Sequence, residues 1–123
     1  MAKPISPKLC SSVGEASDLV KMLANPNRLA IVCFLMEHES AVAELEHELG
    51  IRQPTLSQQL GELRDAGLIE ARRDGKAVIY RVDDDRARRL VLVLRELFSG
   101  LDDVTGKRTG RPRDVAVEDM MFD

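Results

Sequence analysis

No uninterrupted apolar run of about twenty residues occurs in this chain, so no segment is expected to span a membrane. No basic-then-apolar leader stands at the N-terminus, so no signal peptide is expected. The two cysteines, Cys10 and Cys33, are too few for a disulfide scaffold, and a cytoplasmic location is the default expectation. Histidine is as scarce: His38 and His47 lie nine residues apart, on different expected helices, in an acidic stretch. That spacing has no recognisable metal geometry, and no metal site is expected. A thiol enzyme would need a nucleophilic cysteine, a positioned base and a pocket. Two scattered histidines and the lack of a glycine-rich loop point away from catalysis, and neither an enzyme nor a cofactor is expected.

The net charge is −3, the wrong sign for a chain that grips nucleic acid, but the charge is segregated. Glu37, Glu39, Glu44, Glu46 and Glu48 form an acidic stretch without Lys or Arg. Arg52 to Arg81 holds six basic and four acidic residues. A local positive surface matters more than the total, so modest non-specific affinity for DNA is expected, with specificity from base contacts.

That positive segment, 51–82, reads as a polar-faced helix followed by two short strands. Pro54 suits the first turn of a helix. Leu56, Leu60 and Leu63 recur at i, i+4 and i+7 and define a buried stripe. Gln53, Thr55, Ser57, Gln58 and Gln59 are short or neutral side chains able to hydrogen-bond base edges. Gly61 lies on the outer face, where bulk would block close approach. Glu62 and Asp65 would repel phosphate, so the far end should leave the groove. Gly67 follows Ala66 in the position that caps helix C-termini. Leu68 to Arg73 and Ala77 to Val82 read as strands, and Asp74-Gly75 signals a tight hairpin. Arg72, Arg73 and Lys76 cluster at that hairpin and Arg81 follows on the return strand; with Arg52, they are the expected phosphate contacts. A polar reading helix followed by a basic hairpin is how a winged helix meets double-stranded DNA.

The remainder of the chain, one domain by length, fits around this unit. Residues 1–14, with Pro4 and Pro7, read as a flexible arm. A first helix follows with Ala16, Leu19, Val20 and Leu23 on its apolar face. Asn25-Pro26 starts a second, running to about His38. Ser40 is expected to cap a third, with Val42, Leu45 and Leu49 buried and Gly50 closing it. Residues 51–53 then form the turn of a helix-turn-helix. Asp83 to Asp85 suit the positive N-terminal end of a last helix. The expected order is α-α-α-α-β-β-α, mainly helical with a small β-hairpin wing, over 15–101.

The last helix, from Leu90 to Phe98, is apolar on nearly every side. A second copy of the chain is the expected cover, with Leu19, Leu90, Val93, Leu94 and Leu97 at the contact. A twofold dimer would set two reading helices about 34–36 Å apart on an inverted repeat. Residues 102–123 read as a flexible charged tail. Its cluster from Lys107 to Arg113 contains Gly110-Arg111-Pro112, similar to the core of an AT-hook, to be weighed as a minor-groove contact against a solvated tail.

Leu23-Ala24-Asn25-Pro26-Asn27-Arg28-Leu29, the helix 53–60, Leu63 to Glu70 and the strand Gly75 to Val82 together resemble the ArsR/SmtB family of bacterial repressors. The resemblance covers residues 15–101. It implies a homodimeric winged helix that represses by occupying an operator and leaves when an inducer binds. Metal-sensing members carry cysteines at the start of the third helix, where this chain has Ala41-Val42-Ala43-Glu44-Leu45. Others carry Asp and His ligands on the last helix, which here has no His. The resemblance is greatest to the branch that senses persulfides or oxidants through one cysteine on the second helix and one near the end of the last. Cys33 matches the first position; Ser99 stands at the second and cannot form the bridge.

Two readings of Cys33 follow. It is either a small buried hydrophobe, inert in apolar surroundings, or a sensor of reactive sulfur species whose partner has moved to Cys10. Arsenite or metal response, or no thiol signal at all, is the alternative within the family. A winged helix that binds protein instead of DNA is the alternative outside it.

Overall fold

A computed structural model describes residues 7–98 and 101, with side chains from Ser12 onward. The tail cluster at 107–113, and Ser99, lie outside the described residues. The elements run α1 (Pro7–Leu23), α2 (Pro26–Glu37), β1 (Ser40–Ala41), α3 (Val42–Leu49), α4 (Thr55–Asp65), β2 (Ile69–Asp74), β3 (Ala77–Val82) and α5 (Asp85–Leu97). This is the expected helical domain with a hairpin wing.

Three details correct the sequence reading. The first helix begins at Pro7, so half of the expected arm is helical. A two-residue strand, β1, precedes α3 and pairs antiparallel with β3, Ser40 opposite Tyr80 and Ala41 opposite Ile79. Ser40 is therefore a sheet residue and not the cap of α3. It is 1% exposed, and its hydroxyl donates to the His38 carbonyl oxygen at 3.0 Å. Ala41 is the residue before α3 and makes no side-chain cap bond. The gain of sheet pairing outweighs the loss of the cap, because a buried backbone strand must find partners for its N–H and C=O groups.

Asn25 caps α2 as expected, its Oδ1 accepting from Asn27 N and Arg28 N. Pro26 occupies the first turn. Leu56, Leu60 and Leu63 meet Ile31, Val32 and Leu45 in one core, each at most 1% exposed. Gly67 takes a φ of 81°, a left-handed turn that a β-carbon would disfavour, and releases the chain from α4 into β2.

Among the described residues no single helix is long and apolar enough to cross a membrane. The α1–α2 pair has the composition for it only across a 91° bend. Ile31 to Leu35 of α2 are instead buried in the core.

Candidate nucleic-acid interface

With one stripe of α4 spent on the core, its opposite face is decided. Ser57 and Gln58 are exposed there, and Gly61 is partly open. A β-carbon built on Gly61 would meet nothing within 4 Å outside its own helix. Packing within the chain therefore does not require this glycine, although mid-helix glycine costs about 1 kcal/mol relative to alanine. Arg64 lies seven residues after Ser57 and three after Gly61, hence on the same face, and is exposed. The helical period alone places Arg64 on this face, beyond the residues expected from hydrogen-bonding character.

The start of α4 is built differently from the expectation. Pro54 is the cap residue and has no side chain able to accept a bond. Gln53 supplies the acceptor from one residue upstream: its Oε1 accepts from Ser57 N at 3.0 Å. Its amide nitrogen is left for other partners. Thr55 is half-buried at the helix entry. Gln59 is half-buried as well, and its Oε1 accepts from Arg28 Nη1 at 3.4 Å. Gln59 thus faces the body of the domain, which separates it from the outward pair Ser57 and Gln58. Glu62 is held by the same arginine at 2.7 Å, so its charge is partly neutralised.

The wing is a two-residue hairpin. Asp74 pairs with Ala77, so the turn is Gly75-Lys76 and Asp74 is the last strand residue. Gly75 has a φ of 65° while Lys76 does not enter the positive region, the φ signs of a type II′ turn. The expected wing cations divide into two groups. Arg72 is paired with Glu39 at 2.7 Å. Arg81 sits opposite Glu70 in the ladder and is bonded to it, with Asp83 at 3.7 Å. The Glu70 hydrogen bond and charge, helped by Asp83 and Glu39, raise the Arg81 pKa above its already high value. Arg81 is thus engaged at the base of the wing, where Glu70 and Asp83 neutralise part of its charge. Arg73, Lys76, Arg52 and Arg64 have no ion pair among the described residues and are exposed.

The expected dimer residues also divide. Leu19 and Leu90 are partly buried against the chain's own core. Leu94 is half-buried. Val93 and Leu97 stand 49% and 68% exposed, joined by Leu92 on α5, by Phe98 directly after it and by Val13 and Val20 on α1. Ala87 and Val91 form the inward stripe of α5, so that helix has an inner and an outer apolar face.

Cys33 is 1% exposed within α2. Burial raises its thiol pKa from 9.0, and the Arg95 guanidinium partly offsets this. Arg95 crosses from α5, donating to the Cys33 carbonyl at 3.1 Å and pairing with Glu37 at 2.7 Å. Cys10 falls in α1, but its side chain lies outside those described. Among the described residues no group of three or more His, Cys, Asp or Glu is arranged to hold a metal ion.

A family profile described as "Bacterial regulatory protein, arsR family" matches residues 25–71. The biofilm growth-associated repressor of Agrobacterium fabrum is 50% identical over 84 residues, which are 68% of this chain and 72% of that protein. The chain belongs to the ArsR family. Solved structures of relatives show the same fold. The transcriptional repressor BigR from Xylella fastidiosa superimposes with a TM-score of 0.71 at 42% identity, covering 79% of this chain and 99% of BigR. The homodimeric winged helix-turn-helix DNA-binding domain of Mb0332 from Mycobacterium bovis gives 0.64 at 31% identity, covering 79% and 89%. This ArsR-family chain is therefore a winged helix-turn-helix regulator, with α3 and α4 as the helix-turn-helix and β2–β3 as the wing.

Proposed function

We propose that this chain is a homodimeric repressor that occupies an inverted-repeat operator in double-stranded DNA. The observation that carries this is the outer face of α4. Ser57, Gln58 and Arg64 project from it around a glycine that the chain's own packing does not require. Arg73 and Lys76, the exposed cations at the wing tip, supply phosphate contacts beside it. The exposed apolar residues of α1 and α5 support a second copy as partner, and the similar Mb0332 domain is homodimeric. In this reading the protein acts in the cytoplasm, binds and releases, and catalyses nothing. The test is a titration against DNA upstream of its own gene at several salt concentrations, followed by footprinting. Two protected half-sites about one helical turn apart are expected. No salt-sensitive shift at low salt would point instead to a winged helix that binds protein.

Release by reactive sulfur species or an oxidant at Cys33 is the second reading, favoured by the Arg95 charge that stabilises a thiolate there. Burial works against it, since the thiolate is the reactive form. Modification therefore requires the core around Cys33 to open first. Polysulfide or peroxide treatment, with mass spectrometry for a Cys10–Cys33 link, tests the idea. A Cys33→Ser protein that still leaves DNA on treatment removes it.

A further inference from the structure

We propose that Arg28 is a positioning residue that ties the reading helix to the dimer-forming helix and so sets the spacing between the two reading helices of a dimer. The inference rests on the DNA-binding, dimeric reading above. Arg28 lies in the first turn of α2, where Asn25 Oδ1 accepts from its backbone N–H at 3.2 Å and Pro26 stiffens the turn. Its side chain is only 18% exposed. Nε donates to the Met22 carbonyl at 2.7 Å and Nη2 to the Lys21 carbonyl at 3.5 Å. Both carbonyls belong to the last turn of α1, where Lys21 O also accepts from Ala24 N at 3.2 Å and a cation is favoured. Nη1 reaches the other way, to Glu62 Oε1 at 2.7 Å and Gln59 Oε1 at 3.4 Å, both on α4.

One planar guanidinium therefore joins three helices. A lysine keeps the charge but lacks the rigid fork, so it cannot hold both sides in one geometry. α1 carries the exposed Val13 and Val20 that a partner would cover, and α4 carries the reading face. A twofold dimer fixes the α1 helices relative to the axis, so the α1–α4 link determines where the two reading faces fall. Arg28 also engages the Glu62 carboxylate, which would otherwise repel phosphate.

The test uses the full chain with its operator, with the same half-sites moved apart or together by about two base pairs, and with non-specific DNA. Arg28→Lys should bind the natural spacing about tenfold more weakly. Its loss on the altered spacings should be smaller, so spacing discrimination falls. Non-specific affinity, salt slope and dimer dissociation should stay as in the wild type. Glu62→Gln, an exposed change that leaves the α1 contacts in place, should move discrimination in the same direction by less. The proposal is overturned if both variants discriminate spacings as the wild type does, or if all DNA affinities fall equally. A wild type that binds no DNA would overturn the underlying reading instead, and this inference with it.

Discussion

Replacing Gly61 separates the stability of the domain from its function. The residue sits inside α4 with an ordinary helical φ, and a β-carbon there meets no atom of the rest of the chain. Gly61→Ala should therefore stabilise the fold by about 0.5–1 kcal/mol, the backbone-entropy difference between the two residues in a helix. For a domain of this size that raises the melting temperature by about 4–8 °C for each kcal/mol. Gly61→Leu should gain nearly as much, since leucine is also a strong helix former. On DNA the order reverses. A leucine would stand between Ser57 and Arg64, about one helical turn into the groove, and hold both away from the bases. Removing even one good bidentate pairing with a base costs about 1–3 kcal/mol, so operator affinity should fall at least about fivefold. Thermal denaturation followed by circular dichroism and fluorescence anisotropy on labelled operator read the two effects. A Gly61→Leu protein that melts higher and binds operator as tightly as the wild type would refute the placement of this face against DNA. A Gly61→Ala protein that melts lower would refute the open space around it.

At the proposed dimer surface, Leu97→Asp removes a side chain 68% exposed in the single chain. Burying it contributes about 1–2 kcal/mol in each protomer, so the dimer should weaken by at least about thirtyfold, seen by sedimentation, while the monomer stays folded. At the wing, the Arg73→Ala, Lys76→Ala double variant should reduce the salt dependence of operator binding by about four log-log units, about one for each of the four cations that a dimer withdraws from the phosphates. Arg81→Gln should change that slope less, because its charge is engaged by Glu70 and Asp83. Cys33 gives a pH prediction. Its folded pKa is raised from 9.0, so its contribution to stability is complete below pH 9 and is lost as pH rises through the folded value. Melting temperature against pH should therefore fall less steeply on the alkaline side for Cys33→Val than for the wild type; parallel curves would show that the thiol is not held in the core.

The parts of this protein legible in its sequence are those written in local period. Leu56, Leu60 and Leu63 recur at helical spacing, and all three are buried. Asn25-Pro26 caps a helix because the chemistry of a cap acts over two or three residues. Gly75 turns the hairpin for a similarly local reason, although the turn is one residue later than the Asp-Gly pair suggests. The strand at Ser40 was not legible. Two residues carry no period, and the site became a strand because β3 offered unpaired backbone groups beside it. The residues expected to meet DNA show the same division: the outward direction of Ser57 and Gln58 follows from the leucine stripe, whereas the occupation of Gln59, Arg72 and Arg81 does not.

The sequence by itself determined that this chain has a reading helix, a basic wing and an apolar last helix, since each is a pattern within some fifteen consecutive residues. The tertiary structure decided which of those charges are free. Arg28 meets residues 31 and 34 positions away, Arg72 meets Glu39, and Arg95 reaches back to Glu37 and Cys33. Ion pairs across such separations depend on how helices and strands pack, because a charge attracts whatever the fold brings near it. The same packing buries Cys33 and leaves Val93 and Leu97 uncovered, which no local pattern in the sequence decides.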